Sequence, residues 1–319
     1  MIGSYQNSDS FGRQLGLRSK ALTIALGTPI TTLLKDVYFM KLAIVLLLVL
    51  FAASGRLFAQ DSGASASDEH PIQDNSFLAE EAYNQEPGVV QHIQTFTRLW
   101  NSNTWAYTFT QEWPVPDHWR HQLSYTLVDA RNDQDLNQSF GDLLVNYRYQ
   151  LVGNGDTKLA VSPRATLIVP SGSIKNGSGY GAAGLQAVVP ASLVLNRHFV
   201  SHYDLGGTLI PHARDAAHDV AASYGYNAIG SLIWLAHPRL NGMFETSWTS
   251  SHLVSRPHGT DVQNTLWLVP GMRGAFNFKS GLQIVPGIAY VAGVGPSSGD
   301  RGTFFYLSFE HIMWREKEK

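Results

Sequence analysis

The sequence predicts an all-β fold, a closed antiparallel transmembrane β-barrel of twelve strands over residues 91–314, preceded by a short N-terminal helical segment. Three observations predict it. Apolar and polar residues alternate with period two over runs longer than the roughly five or six residues usual in soluble sheets. From the third run onward the connections alternate between long and short, as loops and turns do on the two sides of a membrane, with the short connection at 100–102 and the middling turns at 113–118 and 152–156 departing from the pattern. Charged residues make up only 15% of the chain, against about a quarter in ordinary globular proteins, while 29 glycines and an 11% aromatic share suit a wall wetted by lipid. A soluble β-sandwich or lipocalin-like barrel would also alternate. Its apolar face would point inward, however, and its outer face would carry many more Lys and Glu.

In chain order the first element is a targeting segment. Leu42 to Ala53 is an uncharged apolar run of twelve residues, short of the roughly 20 that a transmembrane helix needs. With Lys41 before it and Ala52, Ala53, Ser54 and Gly55 closing it, the run has the anatomy of a signal peptide over 40–59, cleaved after Ala59. Met40 stands directly before Lys41, where such a peptide begins. Residues 1–39 therefore read as an upstream extension from a mis-assigned start, the other reading being a long leader with Arg13, Arg18, Lys20 and Lys35 as its basic residues. Residues 60–90 form the next unit. Gln60 to Asn75 is a polar, acidic linker. Asn75 or Ser76 then caps a short helix from Phe77 to Tyr83, with Glu80 and Glu81 in its first turn and Pro87-Gly88 ending it. This unit is a candidate plug.

The strands follow. Leu143, Val145, Tyr147, Tyr149 and Leu151 face one way, and Asp142, Asn146, Arg148 and Gln150 the other. Leu123, Tyr125 and Leu127 oppose Gln122, Ser124 and Thr126 in the same manner, and Phe244 and Trp248 oppose Glu245, Ser247 and Thr249. Extended to the whole region, the pattern places strands at 91–99, 103–112, 119–128, 139–151, 157–169, 180–195, 198–210, 223–236, 240–250, 262–277, 281–292 and 302–314. Their length matches the nine to eleven residues, roughly, of a tilted membrane-spanning strand. Long connections are expected at 129–138, 170–179, 211–222, 251–261 and 293–301, with short turns such as Asn196-Arg197 and Lys279-Ser280 between them. An even strand count puts both termini on one side, the periplasmic one. Residues 315–319 are a charged tail.

The segment Phe77-Leu78-Ala79-Glu80-Glu81-Ala82-Tyr83-Asn84-Gln85-Glu86-Pro87-Gly88-Val89-Val90-Gln91-His92 resembles the opening motif of a bacterial family of exported β-barrels. That family is labelled as belonging to the MetA pathway of phenol degradation and is described as transporter-like. Glu80, Glu81, Tyr83, Asn84, Glu86, Pro87 and Gly88 carry the resemblance, which continues through Trp113 and Arg120 to the last strand. It implies an outer-membrane barrel of Gram-negative type that passes small aromatic or hydrophobic molecules.

Composition excludes several chemistries. The chain has no cysteine, so it has neither a disulfide scaffold nor a thiolate site. From Gln60 onward 17 Lys/Arg stand against 23 Asp/Glu, a net charge near −6 with no clustered basic face, which argues against a nucleic-acid partner. No His spacing matches a metal signature. His212 and His218 lie with Asp215 and Asp219 in an expected loop, and His118 and His121 straddle a strand start. Gly177-Ser178-Gly179-Tyr180-Gly181 precedes a strand and so is no phosphate cradle. A lipid-hydrolase reading would rest on Ser250, Ser251 and His252, which lack an evident orienting residue. No catalytic residue, metal or cofactor is expected.

The polar strand faces remain. Asp142, Arg148, Lys158, Arg164, Asp204, Glu245 and Arg273 fall on positions assigned to the lumen. On the lipid face near the midplane each Arg or Lys would cost about 2–4 kcal/mol. Inside, such charges either bridge and close the lumen or line a conduit for a small solute, and twelve strands lie between a filled barrel and an open porin. The expected function is a passive channel, with a non-conducting structural or binding barrel as the alternative and a lipid hydrolase as the second alternative. The expected partners are outer-membrane lipid, a small-molecule solute and, during biogenesis, the barrel-assembly machinery.

Overall fold

The computed structural model describes Ile72 and residues 75–102, 104–131 and 137–314. The expected extension, signal peptide and charged tail, and most of the expected linker, lie outside the described residues. Strand segments run in order as β1 (Val89–Leu99), β2 (Trp105–Pro114), β3 (His121–Arg131), β4 (Ser139–Phe140), β5 (Leu143–Tyr149), β6 (Leu159–Val161), β7 (Arg164–Val169), β8 (Gly184–Asn196), β9 (Phe199–Arg214), β10 (Val220–His237), β11 (Leu240–Arg256), β12 (Gly259–Gly274), β13 (Phe276–Asn277), β14 (Gln283–Gly293) and β15 (Arg301–Ile312). Segments β4 and β5 make one stave, as do β6 and β7, and β12 and β13, so the wall has twelve staves. Each stave is antiparallel to its neighbours, and β1 pairs with β15 from Val89 opposite Ile312 to Leu99 opposite Gly302. Pairing of β12 with β14 completes the ring. A closed ring leaves no strand edge in the hydrocarbon layer, where an unpaired N–H or C=O could not be hydrated.

The wall is inverted relative to a soluble barrel. Leu123 and Leu127 on β3, Val145 and Tyr147 on β5, Leu205 and Leu209 on β9, and Phe244 and Trp248 on β11 are exposed outward. The alternate residues Gln122, Thr126, Asn146, Asp204, Thr208, Glu245 and Thr249 are buried inside. Cross-strand hydroxyl pairs knit this inner face: Thr95–Thr108 at 2.7 Å, Thr110–Thr126 at 2.7 Å and Thr249–Thr265 at 2.6 Å. An apolar outer belt around a hydrogen-bonded polar interior is the arrangement lipid selects.

Both chain ends of the barrel meet at one rim, here termed the terminal rim. There Gly88 turns into β1 at φ 83°, and its carbonyl accepts the Met313 N–H at 2.8 Å. A side chain at Gly88 would collide with the Trp314 carbonyl, so this turn requires glycine.

Three expectations change. No helix forms between Phe77 and Tyr83; the segment is irregular and lies inside the barrel. Its Glu and Ala residues favour a helix locally, but the wall supplies enough hydrogen bonds to hold an extended backbone instead. The expected long loops at 211–222 and 251–261 are mostly strand, because β9 to β12 run for 16, 18, 17 and 16 residues. At these ends apolar residues sit on both faces, Ala213 and Val254 buried and Val262 exposed, so alternation fades while backbone pairing continues. The strand expected at 180–195 begins at Gly184, and Tyr180 stays with the preceding loop, its N–H donated to Asp142 Oδ2 at 2.9 Å.

Candidate functional site

The lumen and the segment crossing it form the candidate site. A chain leaving regular secondary structure must find partners for its backbone groups, and here the inner wall provides many of them. Six backbone N–H groups of the segment donate to wall side chains: Phe77 and Leu78 to the two Glu245 oxygens at 2.9 and 2.7 Å, Glu80 to Asp204 at 2.9 Å, Ala82 to Ser192 at 2.7 Å, Asn84 to Gln150 at 3.0 Å and Gln85 to Gln122 at 2.6 Å. In return Gln150 donates to the Ala82 carbonyl at 2.7 Å, Arg148 to the Tyr83 carbonyl at 2.6 Å, and Arg273 to the Asn75 carbonyl. Ser76 meets Ser231 at 2.7 Å, and Gln85 donates to Gln91 at 2.6 Å. The segment therefore sweeps around the lumen from the β1 side to β12.

Glu80 is its electrostatic centre. The carboxylate meets Arg148 Nη2 at 2.9 Å and Arg164 Nη2 at 2.9 Å, with all three side chains at most 1% exposed. Two guanidinium groups at this distance compensate the burial of the Glu80 carboxylate. Arg164 is fixed in turn by Asn146 at 2.8 Å and Gln186 at 3.1 Å. The cluster is thus a buried network in which one segment carboxylate bridges two wall cations.

The opposite flank of the lumen is apolar. Ile72, Phe77 and Leu78 pack with Ile93, Ile229, Ile233, Met243, Trp267, Val269, Val285, Val291 and Phe304, all buried inside. The Phe77 ring lies 5.5 Å from that of Phe304 and 6.1 Å from that of Tyr306. It also lies against Gly271 and Gly287, where a Cβ would come within 2.4 and 2.7 Å of the ring. Period-two reasoning missed this flank because strands such as β14 are apolar on both faces, which erases the alternation signal.

The predicted residues separate accordingly. Arg148, Arg164, Asp204, Glu245 and Arg273 are buried and converge on the segment. Asp142 is buried but holds the 170–183 loop, accepting the Gly172 N–H at 2.8 Å. Lys158 departs from the lumen assignment: it is exposed in the turn before β6. Among the motif residues Glu81 and Tyr83 are buried, Tyr83 edge-on to His202 at 6.2 Å, while Asn84 donates to the Trp119 carbonyl at 3.1 Å. Glu86 and Pro87 are exposed in the turn that Gly88 completes. Gln122 and Gln150 were placed on the polar strand faces by sequence but given no role, and Ser192 and Ser231 were not singled out.

Hydrolase geometry does not assemble where the sequence suggested. Ser251 points inward, whereas the His252 ring is stacked on Tyr224 at 4.1 Å on the other face. Consecutive strand residues diverge, so the pair cannot act together. A different pair, Ser192 and His202 at 2.6 Å, is buried beneath the segment, with the serine oxygen engaged by the Ala82 N–H. Asp215 accepts the N–H groups of Ala217 and Asp219 at 2.9 and 3.0 Å, closing the turn in which His218 lies. Among the described residues no group of three or more metal-ligating side chains comes together.

No protein-family profile matches the chain, and no curated protein matches it by sequence. Solved structures do resemble it. The COG4313 outer membrane channel from Pseudomonas putida F1 is 11% identical, with 78% of this chain and 99% of that chain covered and a TM-score of 0.50. The NanC porin is 10% identical, with coverages of 70% and 98% and a TM-score of 0.46, and the KdgM porin is 9% identical, with coverages of 69% and 98% and a TM-score of 0.38. At 11% identity the likeness to the first of these concerns the fold alone.

Proposed function

We propose that this chain is a passive channel of the Gram-negative outer membrane for small amphipathic or apolar molecules, aromatic compounds among them. In this reading residues 75–88 are a resident constriction, and the terminal rim faces the periplasm. The observation that supports it best is the two-sided lumen, apolar from Phe77 to Trp267 and Phe304, polar from Arg148 to Glu245. A solute with a ring and a polar group finds a partner for each along such a wall, whereas a fully polar lumen would favour sugars and ions. The resemblance of 77–92 to the phenol-degradation barrels points the same way.

The constriction is not a loose flap. Nine backbone hydrogen bonds to the wall, at about 1 kcal/mol each, would hold it by several kcal/mol, so spontaneous full release is rare. Small solutes then cross by local rearrangement along the apolar flank. In proteoliposome swelling the wild-type barrel should pass small neutral aromatic alcohols faster than sugars of similar mass. Glu80→Ala, which frees the polar end of the segment, should raise both rates severalfold. A barrel that inserts but passes neither class of solute, with or without the substitution, would sink the channel reading. That result would favour the alternative of a non-conducting structural barrel, supported by the contacts the segment makes all around the wall.

A further inference from the structure

On the outer wall at the terminal rim, polar and aromatic side chains gather where an apolar belt would otherwise end. Arg120, exposed in the turn between β2 and β3, has its guanidinium 5.1 Å above the Trp119 ring and donates to the Tyr149 hydroxyl at 3.5 Å. His121 Nδ1 meets the Tyr147 hydroxyl at 2.8 Å, and its ring stands edge-on to Tyr149 at 5.2 Å. Among the described residues Arg120 joins no ion pair, so a full positive charge with free donors faces outward. The segment inside the barrel reaches this cluster only through the Trp119 carbonyl, which accepts from Asn84, and leaves its side chains to the outer wall.

Strand register continues the cluster into the lipid-facing wall. Opposite pairs climb from His121 with Tyr149 to Leu123 with Tyr147 and Tyr125 with Val145, a step of two residues, about 7 Å, at each level. Leu123, Val145 and Tyr147 are all exposed on this column. A charged, hydrogen-bonding foot below a vertical apolar strip is complementary to one kind of molecule, an amphiphile with an anionic head and an acyl chain.

We propose that this column is a phospholipid site, with the phosphodiester held by Arg120 and the Tyr149 hydroxyl and one acyl chain lying along Leu123, Tyr125 and Val145. Guanidinium is the side chain best matched to phosphate oxygens, and its position over an indole limits the rotamer freedom lost on binding. The occupant is a glycerophospholipid of the leaflet at the terminal rim and not free phosphate, because the polar foot is continuous with the apolar strip. The site rests on the membrane placement proposed above.

Native mass spectrometry of the full barrel in a non-ionic detergent, titrated with dioleoyl phosphatidylglycerol, tests it. Wild-type protein should retain one lipid more tightly than the rest. Arg120→Ala should weaken that first binding step about fivefold, the effect of one basic side chain at an anionic lipid surface. Tyr149→Phe should weaken it less, and Arg256→Ala on the opposite rim should leave it unchanged. Equal retention by wild type and Arg120→Ala overturns the site, as does displacement of the lipid by millimolar inorganic phosphate. Heat-modifiable gel mobility and insertion into liposomes serve as controls. A protein that inserts yet binds lipid indifferently loses only this site, whereas one that fails to insert loses the membrane reading itself.

Discussion

Glu80 shows how much one residue can carry. Its carboxylate is shared between Arg148 and Arg164 in a region with no exposure to solvent, and its own N–H is donated to Asp204. Removing one partner of a buried ion network leaves uncompensated charge, which costs about 3–5 kcal/mol, far more than the pair contributes relative to an apolar replacement. Glu80→Ala should therefore lower the stability of the folded barrel by about that amount, read as an earlier midpoint when heat-modifiable mobility is followed against urea. Glu80→Gln keeps the volume and one acceptor oxygen for the guanidinium donors and should recover part of the loss. Lys158→Ala, at an exposed turn, should leave the midpoint unchanged. If Glu80→Ala matches wild type in this assay, the network is incidental to the fold.

Among elements, the segment 75–88 is the least ordinary, and it marks where sequence reading reaches its limit. Strands such as β3 and β5 are legible because a two-sided wall imposes period two, and single charges such as Arg148 and Arg164 stand out on the inward parity. Their partner was not legible. Glu80 lies 68 and 84 residues away in sequence, in a stretch whose Ala and Glu content favours a helix, and nothing local signals that Glu245, Ser192 and Gln150 will bind its backbone. The far ends of β9 to β12 were hidden for the opposite reason. There apolar residues fall on both faces, Ala213 and Val254 inward and Val262 outward, which erases the period-two contrast although the ladder continues. The absence of native cysteine makes the segment's mobility measurable. Ser76 and Ser231 oxygens are 2.7 Å apart, so Ser76→Cys with Ser231→Cys should cross-link on oxidation. If the segment shifts during passage, oxidised protein should swell liposomes more slowly than the same protein after reduction. Equal rates in the two states would mean that solutes pass a static segment.

At the scale of the whole molecule, the segment behaves as an internal hoop. It reaches Gln91 on β1, Gln122 on β3, Arg148 on β5, Arg164 on β7, Ser192 on β8, Asp204 on β9, Ser231 on β10, Glu245 on β11, Arg273 on β12 and Phe304 on β15. Phe77 adds a contact at the ring-closing joint, seated against Gly271 and Gly287 where the β12–β14 pairing is interrupted between Leu268 and Gly271. A mature chain that begins at Glu86 would keep every interstrand ladder and lose the hoop. The twelve-stave ring should still close and remain heat-modifiable, because its backbone bonds do not depend on the segment. Its midpoint in urea should fall substantially, since Arg148, Arg164 and Glu245 would then face one another or water without the partners that now hold them. Permeability separates the two functional readings. A constricted channel predicts that the shortened chain loses stability and gains solute flux together, with sugars admitted as well as aromatic alcohols once the polar flank is open. A purely structural barrel predicts the loss of stability without the gain in flux. Loss of neither would mean that the hoop does not contribute to holding the ring.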